Sequence, residues 1–467
     1  MGTSPLSLTE RWVSALLEGT RAPVPMEEER VLVRQLLDFF VCTLGGGVQS
    51  ALASTRRQFR MPTGRLHPSE EFTATLAEGL AVAAHRRDRD DLHWPTLTHP
   101  GGVIWPTVLA IGAERDASGR QGLAAARLGY QAMISLALAL GPSHRERWHA
   151  TTTAGTVGAG LAAAWLMSEA PDLATRAAGN AISVMGGSAM FLREHSQTGL
   201  LHRAHAVLSG IRAARFAERG FSSTLGGLET EGGALTTFSR AARPEFLEEP
   251  WQAPWWRQVA CRCHPASGYA QTAIQATLGL LPVDVADVSR IVVEVPAQFL
   301  RVTTPGVPVS DDQAWWSIPY SVASCLVLSR PGMPSVADAS GAAAVALMRR
   351  TEVVPRPSQA PGDITARVTL ELRTGHTLRS EASNHLGHPD RPPDFEDLAV
   401  KWAQMRPDVG ADSLAGLKGL SRSAAAWSVR RWVRSLGRLA GPPLASPGPG
   451  GGGAVAQSAS LRSDLGA

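Results

Sequence analysis

The chain has 467 residues, of which 44% are hydrophobic and 18% charged, a balance typical of a folded protein with a sizeable core. The length exceeds that of one usual core, so it favours two domains or one large domain with an insertion. The net charge is only +4, with 45 basic residues scattered among 41 acidic ones, which argues against a nucleic-acid partner.

Cysteine usage and apolar stretches bear on the compartment. The four cysteines are Cys42, Cys261, Cys263 and Cys325. So few cysteines in a long chain indicate a reducing interior rather than a disulfide framework. With no charged-then-apolar leader at its start, the chain is expected in the cytoplasm. The most apolar stretch, residues 123–140, is too short for a bilayer and is predicted to be a buried helix, so no membrane is expected.

Helical periodicity dominates the first half of the chain. Ser7 lies three residues before Glu10, the spacing of a capping box, and apolar residues then recur about every 3.6 positions. The same pattern, punctuated by Gly, Pro or Ser, returns repeatedly up to about residue 245. We therefore predict a helical domain that begins with residues 1–258.

The pattern changes near residue 265. The segments VSRIVVEV and ITARVTLELRTGHTLRSEA alternate in polarity and are rich in β-branched residues, which predicts strands. Two helical segments, SIPYSVASCLVLS and SGAAAVALMRR, lie between them. We predict a smaller α+β unit at residues 259–399, inserted into a mainly α-helical protein.

The end of the chain returns to helical periodicity. The segments DFEDLAVKWAQM and SAAAWSVRRWVRSLGRL predict helices at residues 400–440 that pack back on the first domain. Residues 441–467 begin GPPLASPGPGGGG, a composition typical of a flexible tail.

Titratable residues are concentrated in residues 85–100, HRRDRDDLHWPTLTHP, after an Ala-rich helical segment. They include Asp88, Asp90, Asp91, His93 and His99. A solvated helix end would explain them, but the neighbouring residues are largely apolar. Carboxylates beside imidazoles in such surroundings are expected to have shifted pKa values, which suits general acid–base catalysis.

A further histidine precedes a Gly/Ala-rich helix in RWHATTTAGTVGAG. The glycine spacing is wrong for a dinucleotide-binding loop and no strand precedes it, so close helix packing explains the glycines better. His149 would then lie at a helix entrance. His202 and His205 lie three apart on one predicted helix face, where ordinary packed or surface histidines are the simpler interpretation.

The segment CRCHPASGYAQTA lies between the two predicted domains. Its Cys-x-Cys-His spacing does not match structural zinc sites, so a hinge that lines a cleft is favoured over a metal centre. Tyr320, in WWSIPYSVAS, follows two tryptophans, and on its own it is more typical of a core than of a catalytic site.

Together these segments resemble the MmgE/PrpD family, which includes 2-methylcitrate dehydratase and cis-aconitate decarboxylase. The family's histidine, D-x-D-D run, His-Pro pair and helix-entry proline correspond to His85, Asp88, Asp90, Asp91, His99, Pro100 and Pro106. The motifs GYQAM at Gly129, WHATTTAGTVGAG at His149, GLLHRAHAVLSGIRAARFAERGF from Gly199 and SIPYSVA around Tyr320 follow in the family's order. The resemblance covers about residues 8–435.

The resemblance implies a large helical domain built from both chain ends, a smaller α+β lid and an active site in the cleft between them. It also implies a homodimer that acts on a small molecule without an organic cofactor or metal. The candidate catalytic residues are Asp88, His99, His149 and Tyr320. The candidate substrate-binding residues are Arg262, Asp91, His202, Ser267, Tyr269 and Trp94.

The chain departs from the family at both of its active-site lysines. Three residues before the histidine of the L-H motif, where the family has lysine, stands Gly199. At the start of the hinge motif stands Arg262, or Cys261 under a shifted alignment. Neither lysine has been displaced nearby, because Lys401 and Lys418 are the only lysines in the chain.

Two smaller departures add to this. The hinge histidine of some members is replaced by Ser267 or Tyr269, and the threonine after D-x-D-D is Leu92. The groups that would bind a di- or tricarboxylate are therefore fewer. A substrate with fewer carboxylates and more apolar surface fits better, and four tryptophans are candidates to bind it: Trp94, Trp105, Trp315 and Trp316.

Elimination next to a carboxylate needs a base, a cation for the developing enolate and an acid for the leaving group. His99, His149 and Tyr320 are candidate proton donors or acceptors. Asp88 is expected to orient a histidine, and Arg262 to hold one carboxylate through two hydrogen bonds.

Three functional hypotheses follow. The favoured one is a cofactor-independent lyase or isomerase acting on a less acidic substrate of specialised metabolism. The others are a true 2-methylcitrate or cis-aconitate enzyme, and a non-catalytic relative that binds a ligand or partner.

Overall fold

A computed structural model describes residues 5–47, 69–194, 196–304, 306–357, 362–406 and 415–439. The predicted tail, residues 441–467, lies outside the described residues. So do residues 407–414 of the predicted helical return.

The first half of the chain is helical. Its long helices are α1 (Leu8–Arg21), α2 (Met26–Gly45), α3 (Glu70–His85), α4 (Gly101–Glu114), α5 (Gly119–Arg145), α6 (Ala150–Met167) and α7 (Pro171–Val184). They are followed by α8 (Met190–Glu194), α9 (Thr198–Glu218), α10 (Ala234–Phe238) and α11 (Glu245–Glu248). The predicted capping box is present at α1, where Ser7 Oγ accepts from Glu10 N and Glu10 Oε2 accepts from Ser7 N.

Helix α6 lies at the centre of this domain and packs on both α5 and α9. Its glycines allow this close approach, because a Cβ at Gly158 would lie 2.7 Å from the Gly129 carbonyl oxygen of α5. A Cβ at Gly210 of α9 would similarly lie 2.7 Å from the Thr156 carbonyl oxygen. The interpretation of GTVGAG as a helix-packing segment is confirmed.

Helix α5 is long and apolar enough to cross a membrane, yet 94% of its apolar window is buried inside the protein. Such burial is what the core helix of a globular domain requires, so α5 is weak evidence for a membrane span.

The second part of the chain forms an α+β unit. Its elements are α12 (Gln271–Leu278), β1 (Val288–Pro296), α13 (Asp311–Trp315), α14 (Ile318–Leu328), α15 (Ala339–Met348), β2 (Thr351–Arg356), β3 (Ala366–Leu372) and β4 (Thr377–Ala382). The sheet order is β2-β1-β3-β4, with β1 and β2 parallel and the other two pairs antiparallel. Ile291 pairs with Leu370, and both side chains are buried in the core of this unit.

The chain ends in α16 (Phe395–Met405), α17 (Ala415–Ser423) and α18 (Val429–Leu439). Helices α16 and α17 pack on α2, and α18 packs on α4. Trp402 and Trp432 therefore belong to the same apolar core as Trp12 and Trp105. The fold is mainly helical, with 59% helix, and it carries a small four-stranded mixed sheet.

The segment between α3 and α4, residues 86–99, is here called the acid loop. Its residues Leu92 and Trp94 are buried in the core of the α+β unit, although the flanking helices belong to the helical core. Leu92 also pairs with Ala260 through two backbone hydrogen bonds of 2.8 and 2.9 Å. The acid loop is therefore fixed between the two cores.

Candidate active site

A cleft of about 3050 Å³ lies between the helical domain and the α+β unit. Of the predicted catalytic residues, Asp88, His99 and His149 line it. Of the predicted substrate-binding residues, Arg262, Tyr269 and Trp94 do so.

Asp88 has a left-handed backbone, with φ of 48°, which is uncommon for a residue other than glycine. Its carboxylate is held on both oxygens. Oδ1 accepts a hydrogen bond from Arg262 Nη1 at 2.9 Å, and Oδ2 accepts one from Trp315 Nε1 at 3.2 Å. These contacts compensate for the strained backbone and fix Asp88 at the cleft wall.

Asp90 lies beneath the cleft surface and is contacted by a histidine and two arginines. Its Oδ1 accepts from His85 Nδ1 at 2.8 Å and from Arg262 Nη2 at 2.6 Å, while Oδ2 lies 3.5 Å from Arg203 Nε. Burial alone would raise the pKa of Asp90, but His85 and Arg203 help to hold that pKa well below its usual range. Asp90 is therefore a charged residue that organises the wall of the cleft.

Arg262 uses all three guanidinium nitrogens within the protein. Besides Asp88 and Asp90 Oδ1, it donates from Nε to the Asp90 carbonyl oxygen at 2.6 Å. Burial would lower the pKa of Arg262, but Asp88 and Asp90 raise it above its ordinary value. The expectation that Arg262 holds a substrate carboxylate through both arms is corrected, because those arms already bind the two aspartates and position the acid loop.

Asp91, expected to bind substrate, instead caps the N-terminus of α4. Its two oxygens accept from Gly101 N at 2.8 and 3.0 Å, and Oδ2 also accepts from Tyr130 Oη at 2.8 Å. Burial, with the neighbouring charge of Asp90, raises the pKa of Asp91 to about 7. Asp91 does not line the cleft, and its role is to fix the helix that carries the cleft wall.

His99 is held in one tautomer by the acid loop. Its Nδ1 donates to the Asp91 carbonyl oxygen at 2.7 Å, which leaves Nε2 of the neutral ring as the acceptor. Burial lowers the pKa of His99 well below its ordinary value. His99 is therefore a neutral base at physiological pH, with its ring centroid 5.4 Å from that of His85.

His149 occupies the position just before the first residue of α6. Its Nδ1 lies 2.9 Å from Thr152 Oγ1 and 3.1 Å from His202 Nδ1, so Nε2 is the nitrogen left for a ligand. Burial, together with the charge of Arg203, lowers the pKa of His149 well below its ordinary value. His202 is half-buried behind His149 and does not line the cleft, so it positions the ring.

Three further predicted residues lie away from the cleft lining. Tyr320 is buried in the core of the α+β unit, where its hydroxyl donates to the Pro334 carbonyl oxygen at 2.9 Å. Ser267 is fully buried behind the cleft wall, and Trp105 lies in the helical core. The tyrosine that the structure brings to the cleft is Tyr269, whose pKa burial raises.

His85, Asp88 and Asp90 form a group whose ligand atoms lie within 4.8 Å of one another, a spacing compatible with a metal ion. Both aspartates, however, are bound by Arg262, so a metal would have to compete with a buried guanidinium. In the hinge, Cys261 and Cys263 are free buried thiols whose pKa values burial raises, to about 12 for Cys263. These thiols are poor metal ligands, because a ligating thiol must lose its proton.

A second buried polar cluster supports the acid loop from below. Lys401 Nζ of α16 lies 2.5 Å from Asp38 Oδ1 of α2 and donates to the Arg89 carbonyl oxygen at 2.8 Å. Arg89 in turn donates from Nη2 to the Cys263 carbonyl oxygen at 2.5 Å. The acid loop, the hinge and the C-terminal helices therefore meet at one ion pair.

Two family models match the chain. The MmgE/PrpD N-terminal domain matches residues 20–247, and the MmgE/PrpD C-terminal domain matches residues 264–415. The chain belongs to the MmgE/PrpD family. Members of this family are generally enzymes of the lyase or dehydratase type. A comparison with curated proteins gave no match.

Phe191 occupies the space that a side chain at position 199 would need. A Cβ at Gly199 would lie only 2.7 Å from the Phe191 ring, so a side chain there would displace the ring. The ring lies 4.8 Å from that of His149 and 5.1 Å from that of His202, edge to face with both. An apolar cleft wall therefore stands at the position where the resemblance led us to expect a lysine.

Arg203 supplies a cation near this position, and the sequence interpretation missed it. It is one helical turn beyond Gly199 and donates from Nη1 to the Gly199 carbonyl oxygen at 3.0 Å. The side chain is almost fully buried and lines the cleft. The sequence could have indicated Arg203, because it lies four residues after Gly199 and residues i and i+4 lie on the same helix face.

Proposed function

We propose that the chain is an enzyme that moves protons by acid–base catalysis on a carboxylate less acidic than 2-methylcitrate or cis-aconitate. The reaction would be a dehydration, a decarboxylation or an isomerisation or cyclisation, without an organic cofactor. The observation that carries the proposal is Phe191, which packs against His149 where the family has a lysine. An apolar ring beside the base favours a substrate with little charge at that end.

The residues support a specific division of roles. His149 Nε2 would remove a proton from the carbon next to the substrate carboxylate. Arg203 lies close enough to affect the pKa of His149 and would stabilise the enolate that forms. In a dehydration, Tyr269 would protonate the departing hydroxide, so that water leaves. Tyr269 suits a donor because burial raises its pKa and keeps the phenol protonated.

The test uses 3-hydroxy-3-phenylpropanoate, a monocarboxylate that loses water to form trans-cinnamate. The purified protein is incubated with it in D₂O without added metal or nucleotide, and NMR follows elimination and deuterium exchange next to the carboxylate. We expect elimination or exchange that depends on His149, and little reaction with 2-methylcitrate or cis-aconitate. Turnover of cis-aconitate at ordinary enzyme rates would reject the proposal. Absence of exchange with every carboxylate tested would favour a relative that only binds a ligand.

We also propose that the protein is a homodimer and acts in the cytoplasm. The first proposal rests on the family and the second on the four free, buried cysteines, which suit a reducing compartment. Light scattering that gives a monomer at micromolar concentration would reject the dimer. Exported protein in its native cells would reject the location.

A further inference from the structure

Arg145, at the C-terminal end of α5, lines the cleft without a carboxylate partner. Its Nη1 donates to the Pro95 carbonyl oxygen at 3.1 Å, the one hydrogen bond that it makes among the described residues. No Asp or Glu oxygen in the described ranges lies within 4.0 Å of its guanidinium. The side chain is half-buried, and burial lowers its pKa. Its remaining guanidinium donors face the cleft without a carboxylate among the described residues, so they can bind an anion that enters it.

Four other arginines of the cleft differ from Arg145 in burial or in carboxylate pairing. Arg203 and Arg262 are buried, but each pairs with an aspartate. Arg301 and Arg330 are exposed at the cleft margin, where water screens their charge. Arg89 also lines the cleft without a carboxylate partner in the described residues, but its Nη2 donates to the Cys263 carbonyl oxygen and to Gln404 Oε1, whereas Arg145 Nη2 has no such partner there.

An aromatic surface adjoins Arg145. Pro95, whose carbonyl oxygen Arg145 binds, follows Trp94 in the chain. The Trp94 ring stacks on Phe299 at 5.9 Å and meets Tyr269 edge to face at 6.4 Å. Tyr269 is in turn 6.4 Å from the Trp316 ring. We call these four residues, Trp94, Tyr269, Phe299 and Trp316, the aromatic wall.

Tyr269 connects the aromatic wall to the acid–base groups. Its hydroxyl is close enough to Asp88 and to Arg145 for both charges to act on its pKa. Arg145 and His149 line the same cleft and are four residues apart in the chain, so a carboxylate bound by Arg145 can keep its neighbouring carbon close to His149.

We propose that Arg145 binds the single carboxylate of a substrate whose flat, apolar body lies on the aromatic wall. This inference rests on the proposed function and names its substrate class: aryl or similarly unsaturated monocarboxylates. Arg203 adds no site for a second carboxylate, because it already pairs with Asp90 and its role in the proposed reaction is to stabilise the enolate of the first. The guanidinium fork suits a carboxylate geometrically, and flat rings gain contact area on tryptophan and tyrosine.

The experiment measures binding of trans-cinnamate and of its neutral analogue cinnamamide by calorimetry, with cis-aconitate as a third ligand. We expect the full-length protein to bind cinnamate about tenfold more tightly than cinnamamide, since one charge-assisted contact is worth roughly that factor. In Arg145→Gln this preference should disappear while cinnamamide binds as before. Arg145→Lys should keep part of it. Arg330→Gln, at an exposed cleft arginine, should change either affinity less than about twofold.

Three results would overturn the proposal: an unchanged cinnamate preference in Arg145→Gln, tighter binding of cis-aconitate than of cinnamate, or no cinnamate binding at about 5 mM. A loss of cinnamamide binding in Arg145→Gln would also overturn it, because the residue would then shape the cleft rather than hold the anion. The same titrations in His149→Ala separate this inference from the proposed function. A protein without acid–base activity would still show the Arg145-dependent preference.

Discussion

Lys401 and Asp38 form a buried ion pair between helices from opposite ends of the chain. The two charged atoms lie 2.5 Å apart, and both side chains are almost inaccessible to solvent. Burial would lower the pKa of Lys401, but Asp38 raises it above its ordinary value, so the ammonium stays charged. Since Lys401 also holds the Arg89 carbonyl oxygen, the ion pair supports the acid loop as well as the two helices.

Replacing Lys401 by Met should leave Asp38 buried and unpaired. We expect the free energy of unfolding to fall by about 3–5 kcal/mol, as for other broken buried pairs. The free energy of unfolding is measured by urea denaturation, with circular dichroism as the signal. The control is the chain's other lysine, Lys418, which is half exposed and lies 3.4 Å from Glu396. Lys418→Met should cost at most about 1 kcal/mol, and equal losses in the two variants would contradict this account.

His149→Ala should lower kcat on an accepted monocarboxylate by about 10²–10⁴-fold, the range expected when an acid–base group is lost. The fold should be retained, because the His149 ring lines the cleft and is not part of the apolar core. His205→Ala is the matched control, since His205 lies on the same face of α9 as His202 but is exposed. Full activity of His149→Ala would remove His149 from the mechanism.

On the acid side, the fall in kcat/KM should begin only below pH 6.5. Burial lowers the pKa values of both His99 and His149, so both rings remain neutral where a free histidine is already half protonated. We expect kcat/KM to stay constant from pH 8 down to 6.5 and to fall only at more acidic pH. An inflection at or above pH 6.5 would show that neither buried imidazole acts as the base.

Arg262→Lys tests whether this residue positions the acid loop. A single ammonium cannot reach the three acceptors that Arg262 binds on Asp88 and Asp90, so we expect kcat to fall at least about tenfold. The Kd of trans-cinnamate should stay within about threefold, because the anion is bound by Arg145. A loss confined to cinnamate affinity, with kcat preserved, would restore Arg262 as the substrate cation.

Acid should destabilise the protein through buried histidines outside the acid–base pair as well as through His99 and His149. Burial lowers the pKa of His93 and His385 to about 3, and that of His144 and His264 to about 4. Each contribution to stability is complete above the unfolded pKa of 6.5 and is lost as the pH falls towards the folded pKa. Asp91 acts in the opposite direction, because its pKa is raised to about 7, but four histidines outweigh it.

Near pH 5 the free energy of unfolding should fall by at least about 4 kcal/mol per pH unit, and the shift in the urea midpoint between pH 7.5 and 5 measures this fall. His385→Gln should reduce this slope, whereas His376→Gln, at an exposed histidine, should not. If the free energy of unfolding did not change with pH, the buried rings would bind protons as readily as the same rings in the unfolded chain.

Periodicity predicted most of the long helices and three of the four strands, because those segments bury one continuous face, but it missed α7, α12 and α17. Strand β2 was missed, since Pro355 and the short polar sequence TEVVPR argue against a strand. The structure explains the exception: β2 is an edge strand, where a proline need not donate to a second neighbour. The predicted helix SAAAWSVRRWVRSLGRL is also shorter than expected, because α18 begins only at Val429.

The candidate site was predicted less completely than the fold. Motif order pointed to Asp88, His99 and His149, because the same loop and helix entrance carry them in the family. The roles of Arg145 and Arg203 depend on which arginines pair with aspartates, and pairing is a property of tertiary contacts. Motif order also pointed to Tyr320, but it gave no sign that the tyrosine hydroxyl is satisfied by Pro334.

The two cores are interleaved along the chain, and this affects how the protein folds during its synthesis. The α+β core needs Leu92 and Trp94, which the ribosome makes long before the sheet, while the helical core needs Trp402 and Trp432, which it makes last. Neither core is complete until nearly the whole chain has emerged. The nascent chain must therefore keep apolar helix faces uncovered through most of translation, a period in which chaperones would bind it.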